Sequence, residues 1–231
     1  MFVGSLHSTE TNLHSLFNTQ PDIIKVPKKK PFSLKNFKHI FNWEFTEDYE
    51  PPPINEDKKV LILDMDETLI HSSNFPPHPK IEYFVISDKS TDTQFYVFKR
   101  PGLDEFMEFV QKHFDVFIFT YGEKQYADPI LDKIVPSIDK NHRLYRDLCE
   151  LSSGSVKKDL AMFKTSEKNI ILVDDNSAQI NFNPSNTIKI KRWNGVPNDR
   201  ALIDWLPGIL KKCLTAEDVR TVISEIKKKN L

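Results

Sequence analysis

The stretch "KKVLILDMDETLIHSS" (residues 58–73) runs four apolar residues, Val60 to Leu63, straight into Asp64, Asp66 and Glu67. A short, continuously apolar run is what a strand buried on both faces requires, as in a parallel sheet. Acids crowded at the end of such a strand repel one another and lose hydration, so they need either a solvated turn or a compensating cation. A solvated acidic turn or helix cap is the commoner origin of such a triplet. The rest of the chain separates the two.

From Val60 onward, apolar strands alternate with helical periods, which predicts an α/β domain with a largely parallel sheet. "IEYFVIS" (81–87) and "TQFYVFK" (93–99) flank the turn-like "DKSTD" and predict a β-hairpin insert. "RPGLDEFMEFVQKHF" then puts Leu103, Phe106, Met107, Val110 and Phe114 at helical spacing, a core-facing stripe. "DVFIFT" (115–120) returns as a strand, and "NIILVDD" (169–175) is a third buried strand ending in acids. "TIKIKRW" (187–193) alternates like a peripheral strand. "TAEDVRTVISEIKKK" (215–229) predicts a helix capped by Thr215 with Asp218, with Val219, Val222, Ile223 and Ile226 on one face.

Three of these strands end in polar groups: Asp64, Thr120, and Asp174 with Asp175. In open α/β sheets the ligand crevice lies outside the carboxyl ends of the strands, so these groups converge despite their separation in sequence. Acids packed there become tolerable around a divalent cation, and hard oxygen ligands suit Mg²⁺.

Composition bounds the alternatives. With 231 residues, 39% hydrophobic and 28% charged, the chain fits one domain of ordinary size with an appended arm. The boundary falls near residue 57: residues 1–57 hold "VPKKKP" and "YEPPPINED" and read as an arm or linker, packing through Phe37, Ile40, Phe41 and Trp43, while 58–231 form the domain. Lys28, Lys29 and Lys30 are either a nuclear address or solvated surface. A net charge of −1 provides no global field for nucleic acid or anionic membrane. Cys149 and Cys213 are too few for a disulfide scaffold and fit a reducing compartment. No stretch approaches the about 20 apolar residues of a membrane span, and the expectation is a soluble monomer of the nucleus or cytoplasm. The spacing of a calcium loop and a Walker P-loop is missing. A cysteine phosphatase would need Arg six positions after its Cys, where Ser155 and Val219 stand.

The order of the motifs resembles the haloacid dehalogenase superfamily, whose first motif, Asp-x-Asp-x-Thr after a strand, is Asp64, Asp66 and Thr68 here. The closer resemblance is to the small phosphatases of the RNA polymerase II carboxy-terminal domain. It rests on "LDMDETLIHSS", "KRPGLDEFMEFV", "FIFTYGEKQYADP", "LYRDLC", "VKKDL" and "VDDNS", collinear over residues 58 to about 215. The resemblance implies a Rossmann-like haloacid dehalogenase fold: a parallel sheet flanked by helices, with a β-hairpin insert. It also implies a Mg²⁺-dependent serine/threonine phosphatase whose substrate is a phosphoserine protein, the polymerase tail.

By the same resemblance, Asp64 is the nucleophile and a metal ligand. Asp66 is the general acid and base and ligates the metal through its carbonyl, while Thr68 ties down the loop. Thr120 and Lys158 hold phosphate oxygens, with Lys157 as a rival to Lys158. Asp175, with Asp174 beside it, completes the metal site; sliding the register by one would choose Asp175 and Asn176. Tyr126 and Arg146 match positions that contact peptide, against a core role for Tyr126 and an ion pair for Arg146. Phe75 with the aromatic hairpin would supply a pocket for a proline. Positions that the family fills with small or apolar residues hold Tyr121, Gly122 and Glu123, which bears on substrate preference. His71 is expected only to bond the backbone. Two rival functions stay open: the same chemistry on another phosphoprotein or a small phosphometabolite, and a noncatalytic protein-binding module of the same fold.

Overall fold

In the computed structural model the described residues are 52–76, 80–88, 93–152 and 154–229. Phe37, Ile40, Phe41, Trp43 and the lysines at 28–30 lie outside them. The chain runs through β1 (Val60–Leu63), an insert of β2 (Ile70–Ser73), β3 (Tyr83–Asp88) and β4 (Thr93–Lys99), then α1 (Leu103–His113), β5 (Asp115–Phe119) and α2 (Lys124–Ile134). Short strands β6 (Arg143–Leu144), β7 (Glu150–Ser152) and β8 (Ser155–Lys157) precede β9 (Ile170–Asp174), α3 (Ser177–Phe182) and β10 (Thr187–Lys189). Helices α4 (Leu206–Thr215) and α5 (Val219–Lys229) follow.

The central sheet is parallel throughout, in the order β10-β9-β1-β5-β6. Strand periodicity sorts its side chains into two cores. Leu61, Leu63, Val116, Ile118, Ile171 and Val173 pack with the apolar faces of α1, α2, α4 and α5. Val60, Ile62, Phe117, Phe119, Ile170 and Leu172 pack with Leu144, Cys149 and Phe163 in a layer built from short helical turns and β8. Each such side chain contributes about 1.5–3 kcal/mol on burial, which is why strands of four or five residues suffice. The expected Rossmann-like α/β fold is present. Both cysteines are buried and free.

The expected hairpin forms, β3 pairing antiparallel with β4, and β2 pairs along the other edge of β4 to make a three-stranded sheet, β2-β4-β3; a two-stranded hairpin alone is marginal in water, and the third strand ties it to the domain. One expectation changes. Thr215 does not cap the last helix. It ends α4, with Oγ1 donating to the Lys212 carbonyl, and Asp218 is the cap, its carboxylate accepting from the Arg220 amide at 3.0 Å. The extended backbone at Ala216 separates the two helices where the sequence pattern reads as one start.

The topology positions the site. From β1 the chain crosses to β5 on one side and later returns to β9 on the other, so the order reverses at β1 and opens a crevice beyond its carboxyl end. Leu63 pairs with both Ile118 and Val173, which brings the next residues of all three strands to one edge.

Candidate active site

Asp64 continues the ladder by one bond, its amide donating to the Val173 carbonyl at 3.0 Å, and so sits beside Asp174. Between the two carboxylates lies Lys158, which is 2% exposed. Its ammonium donates to Asp64 Oδ1 at 2.6 Å and to Asp174 Oδ2 at 2.7 Å. The Lys158 backbone is clamped by α3: its amide donates to Gln179 Oε1 at 3.1 Å and its carbonyl accepts from Asn183 Nδ2 at 2.9 Å. Lys157 points elsewhere, its ammonium 3.1 Å from Glu150 and 3.3 Å from Asp159. The structure thus brings Lys158, and not its rival, to the strand ends.

Oxygens of Asp64, Asp174 and Asp175 lie within 4.8 Å of one another, an all-oxygen donor set that fits a hard divalent cation. Asp174 also accepts from the Asn176 amide at 2.8 Å, while Asp175 accepts from Arg192 Nε at 2.7 Å. Asn176 uses its side-chain carbonyl to cap α3, accepting from the Ala178 amide at 3.0 Å. The acids that cluster are therefore Asp174 and Asp175, in the ungapped register.

Asp66 lies one residue past the buried Met65, on a loop that turns back through Glu67, whose φ of 63° is left-handed. Such backbone strain in a side-chain-bearing residue gathers at functional sites. The Glu67 carbonyl accepts from the Trp193 amide at 2.9 Å, and its carboxylate bonds His71 Nδ1 at 2.8 Å. His71 therefore bonds a side chain and not the backbone. Tyr126 Oη stands 2.7 Å from both Asp66 Oδ1 and Ser72 Oγ. Thr120 Oγ1 accepts from the Gly122 amide at 2.9 Å and is 3.5 Å from Asp66 Oδ2, too long to restrain it.

Burial dominates the electrostatics. It pushes Asp64 up to about 8, against the pull of Lys158. It also raises Asp66, with the Tyr126 hydrogen bond opposing. Lys158 is opposed by its own burial, yet Asp64 and Asp174 outweigh that and hold it above the ordinary lysine range. Burial, with Asp66 beside it, keeps the Tyr126 phenol protonated.

These groups line one cavity of about 380 Å³ with Tyr121, Arg146 and Arg192. Arg146 is held there from three sides. Its Nε donates to the Tyr121 carbonyl at 2.8 Å, its Nη1 to Glu123 at 2.7 Å, and its guanidinium lies 4.7 Å from the Tyr121 ring centroid. Phe75 is 77% exposed and is not among the lining residues.

Several residues of the site carry no local signal. Arg100 is 1% exposed; it donates to the Thr68 carbonyl at 2.9 Å, to the Lys191 carbonyl at 2.9 Å, and to both oxygens of Asp199. The loop is tied down through that carbonyl, whereas the buried Thr68 hydroxyl has no hydrogen-bond partner among the described residues. Gln179, Arg192 and Ser72 are likewise invisible to pattern reading, because each acts through a partner far along the chain.

The central strands of the parallel sheet deliver acids to one edge, where they meet the buried lysine that follows β8. The chain belongs to the NLI interacting factor-like phosphatase family, which matches residues 59–220. It is 37% identical over 167 residues to a protein of Dictyostelium discoideum named probable C-terminal domain small phosphatase, covering 72% of this chain and 54% of that one. It is 34% identical over 186 residues to CTD nuclear envelope phosphatase 1B of Danio rerio, covering 74% and 73%. With CTD small phosphatase-like protein 1 of Caenorhabditis elegans it shares 34% over 162 residues, 69% of this chain but 33% of that one. The chain thus spans about half of the amoebal relative and a third of the nematode one. No helix among the described residues is long and apolar enough to cross a membrane.

Proposed function

We propose that this chain is a Mg²⁺-dependent serine/threonine phosphoprotein phosphatase that works through an aspartyl-phosphate on Asp64, with the phosphorylated carboxy-terminal domain of RNA polymerase II as substrate. Residues 58–231 form the catalytic domain, residues 1–57 an arm, and the protein acts as a soluble monomer of the nucleus or cytoplasm. The observation that carries the reading is the Lys158 ammonium bridging Asp64 and Asp174 at 2.6 and 2.7 Å, with Asp66 opening onto the same cavity.

Asp64 attacks phosphorus in line while Asp66 protonates the departing serine oxygen. Water then attacks the aspartyl-phosphate, and Asp66 takes its proton. The Asp66 carboxyl opens onto the same cavity as Asp64, where it can serve the acid role. Lys158 has three N–H donors, of which two reach carboxylates, so the third remains for a phosphate oxygen. The Thr120 hydroxyl supplies a second donor, in a transition state where charge gathers on those oxygens. Asp64, Asp174, Asp175 and the Asp66 carbonyl would hold Mg²⁺, which would offset the repulsion between the carboxylates and the incoming phosphate.

The test is Mg²⁺-dependent phosphate release from serine-phosphorylated "YSPTSPS" repeat peptides, beside a panel of phosphometabolites. Asp64→Asn is the control: an amide is a poor nucleophile, and turnover is expected to vanish. Undiminished hydrolysis by that variant would sink the mechanism. The Glu123 contact favours a second reading, since a 2.7 Å ion pair engages the guanidinium that would otherwise greet a peptide. In that case the chemistry stays and the substrate is another phosphoprotein or a phosphometabolite, which the same panel detects.

A further inference from the structure

We infer that Tyr126, backed by Ser72, is a positioning residue that fixes the Asp66 carboxyl for proton transfer to the leaving group, and is not a substrate contact. This rests on the phosphatase reading above.

The three side chains arrive from separate elements. Asp66 lies on the loop after β1, Ser72 on β2 and Tyr126 in the first turn of α2. Along β2 the side chains alternate: His71 turns to Phe98 and Trp193, with ring centroids 5.5 and 6.4 Å away, which leaves Ser72 on the face of the buried Ile70. That face meets Tyr126, and Oη stands 2.7 Å from Ser72 Oγ and 2.7 Å from Asp66 Oδ1.

A phenol carries one proton and two lone pairs. The proton goes to the Asp66 carboxylate, and the Ser72 hydroxyl donates to the phenol oxygen in turn. Ser72 thereby prevents the phenol from swinging away, and Tyr126 prevents the carboxyl from rotating. Among the described residues no other side chain holds Asp66 so closely, since Thr120 is 3.5 Å away. The adjoining loop is cut to fit the ring: a Cβ on Gly122 would lie 3.0 Å from Tyr126 Cδ1. With its proton donated to Asp66 and one lone pair engaged by Ser72, Tyr126 Oη keeps little capacity for a peptide.

General acid catalysis matters most when the leaving group is basic, because a good leaving group departs without a proton. The experiment is kcat/KM of the full chain with Mg²⁺ on aryl phosphates of similar size, from p-nitrophenyl to unsubstituted phenyl phosphate, together with a phosphoserine peptide. For Tyr126→Phe we expect a loss of about threefold on p-nitrophenyl phosphate but more than about thirtyfold on phenyl phosphate, part of the range that general acids supply. Ser72→Ala, one bond further out, should steepen the same dependence by a few-fold, and keeps the inference testable should the tyrosine variant misfold. Peptide KM should stay within about twofold in both, because a positioning residue does not bind substrate. An equal loss across the aryl series, or a raised peptide KM with an unchanged aryl series, overturns the inference. Absence of turnover by the unaltered protein overturns the phosphatase reading itself, and is told apart by needing no variant.

Discussion

Arg192 Nε donates to Asp175 Oδ2 across 2.7 Å, joining a guanidinium that is 64% exposed to a carboxylate that is 6% exposed. The pair offsets one of three clustered acids, so a cation binding among them competes with Arg192 for Asp175. A part-exposed pair is worth about 1 kcal/mol, and Arg192→Gln is therefore expected to tighten Mg²⁺ binding about threefold to tenfold. Calorimetric titration with Mg²⁺ checks this directly. Weaker binding in the variant would instead make Arg192 a support that orients Asp175.

Lys158 keeps two buried carboxylates apart. Lys158→Met should cost about 3–5 kcal/mol in urea unfolding at neutral pH without metal, the range for stripping one partner from a buried ion pair. Added Mg²⁺ should recover part of that loss. Lys157→Met, whose ammonium pairs with half-exposed acids, should cost about 0–1 kcal/mol. Equal losses for the two lysines would contradict the burial that distinguishes them.

Arg100 and Asp199 link the loop that carries Asp66 and Thr68 to the segment carrying Arg192. Burial works against the Asp199 charge, but the Arg100 hydrogen bonds, the Ala201 amide and the charges of Arg100 and Lys191 together outweigh it and hold the carboxyl below its ordinary value. A lowered folded value means the pair stabilises fully above the unfolded value of about 3.9. The contribution is lost as pH falls through the folded value. Asp199→Asn is expected to destabilise by about 3 kcal/mol at pH 7, and to shallow the decline of the urea midpoint below about pH 4. An acid limb identical to that of the unaltered protein would exclude Asp199 as its source.

Gly122→Ala places a Cβ 3.0 Å from the Tyr126 ring and 3.2 Å from Thr120 Oγ1. The ring must shift, and a catalytic hydrogen bond is sensitive to displacements well below 1 Å. We expect kcat/KM on phenyl phosphate to fall about tenfold, with a loss of unfolding free energy of about 1 kcal/mol. Full activity in this variant would show that the loop gives way without moving Tyr126.

The strands were legible because burial imposes a local pattern. "VLIL" (60–63), "VFIF" (116–119) and "IILV" (170–173) are apolar on both faces, and a strand so composed must lie inside a sheet. The stripe from Leu103 to Val110 is buried as its helical spacing requires. Asp64, Thr120 and Asp174 could be placed together from sequence, since parallel strands send their carboxyl ends to one edge. Thr215 misled because a capping pattern reports a possible helix start, and the preceding helix had already claimed that residue.

What only the tertiary structure decided are the pairings across that edge. Arg100 with Asp199, Lys158 with Asp64, Tyr126 with Asp66 and Arg192 with Asp175 stand 99, 94, 60 and 17 residues apart. Periodicity records which face of an element is buried, and so fixes the sheet and the location of the crevice. It carries no term for which polar side chain meets which across the crevice, because those contacts form only after parallel crossovers bring distant segments within hydrogen-bond reach.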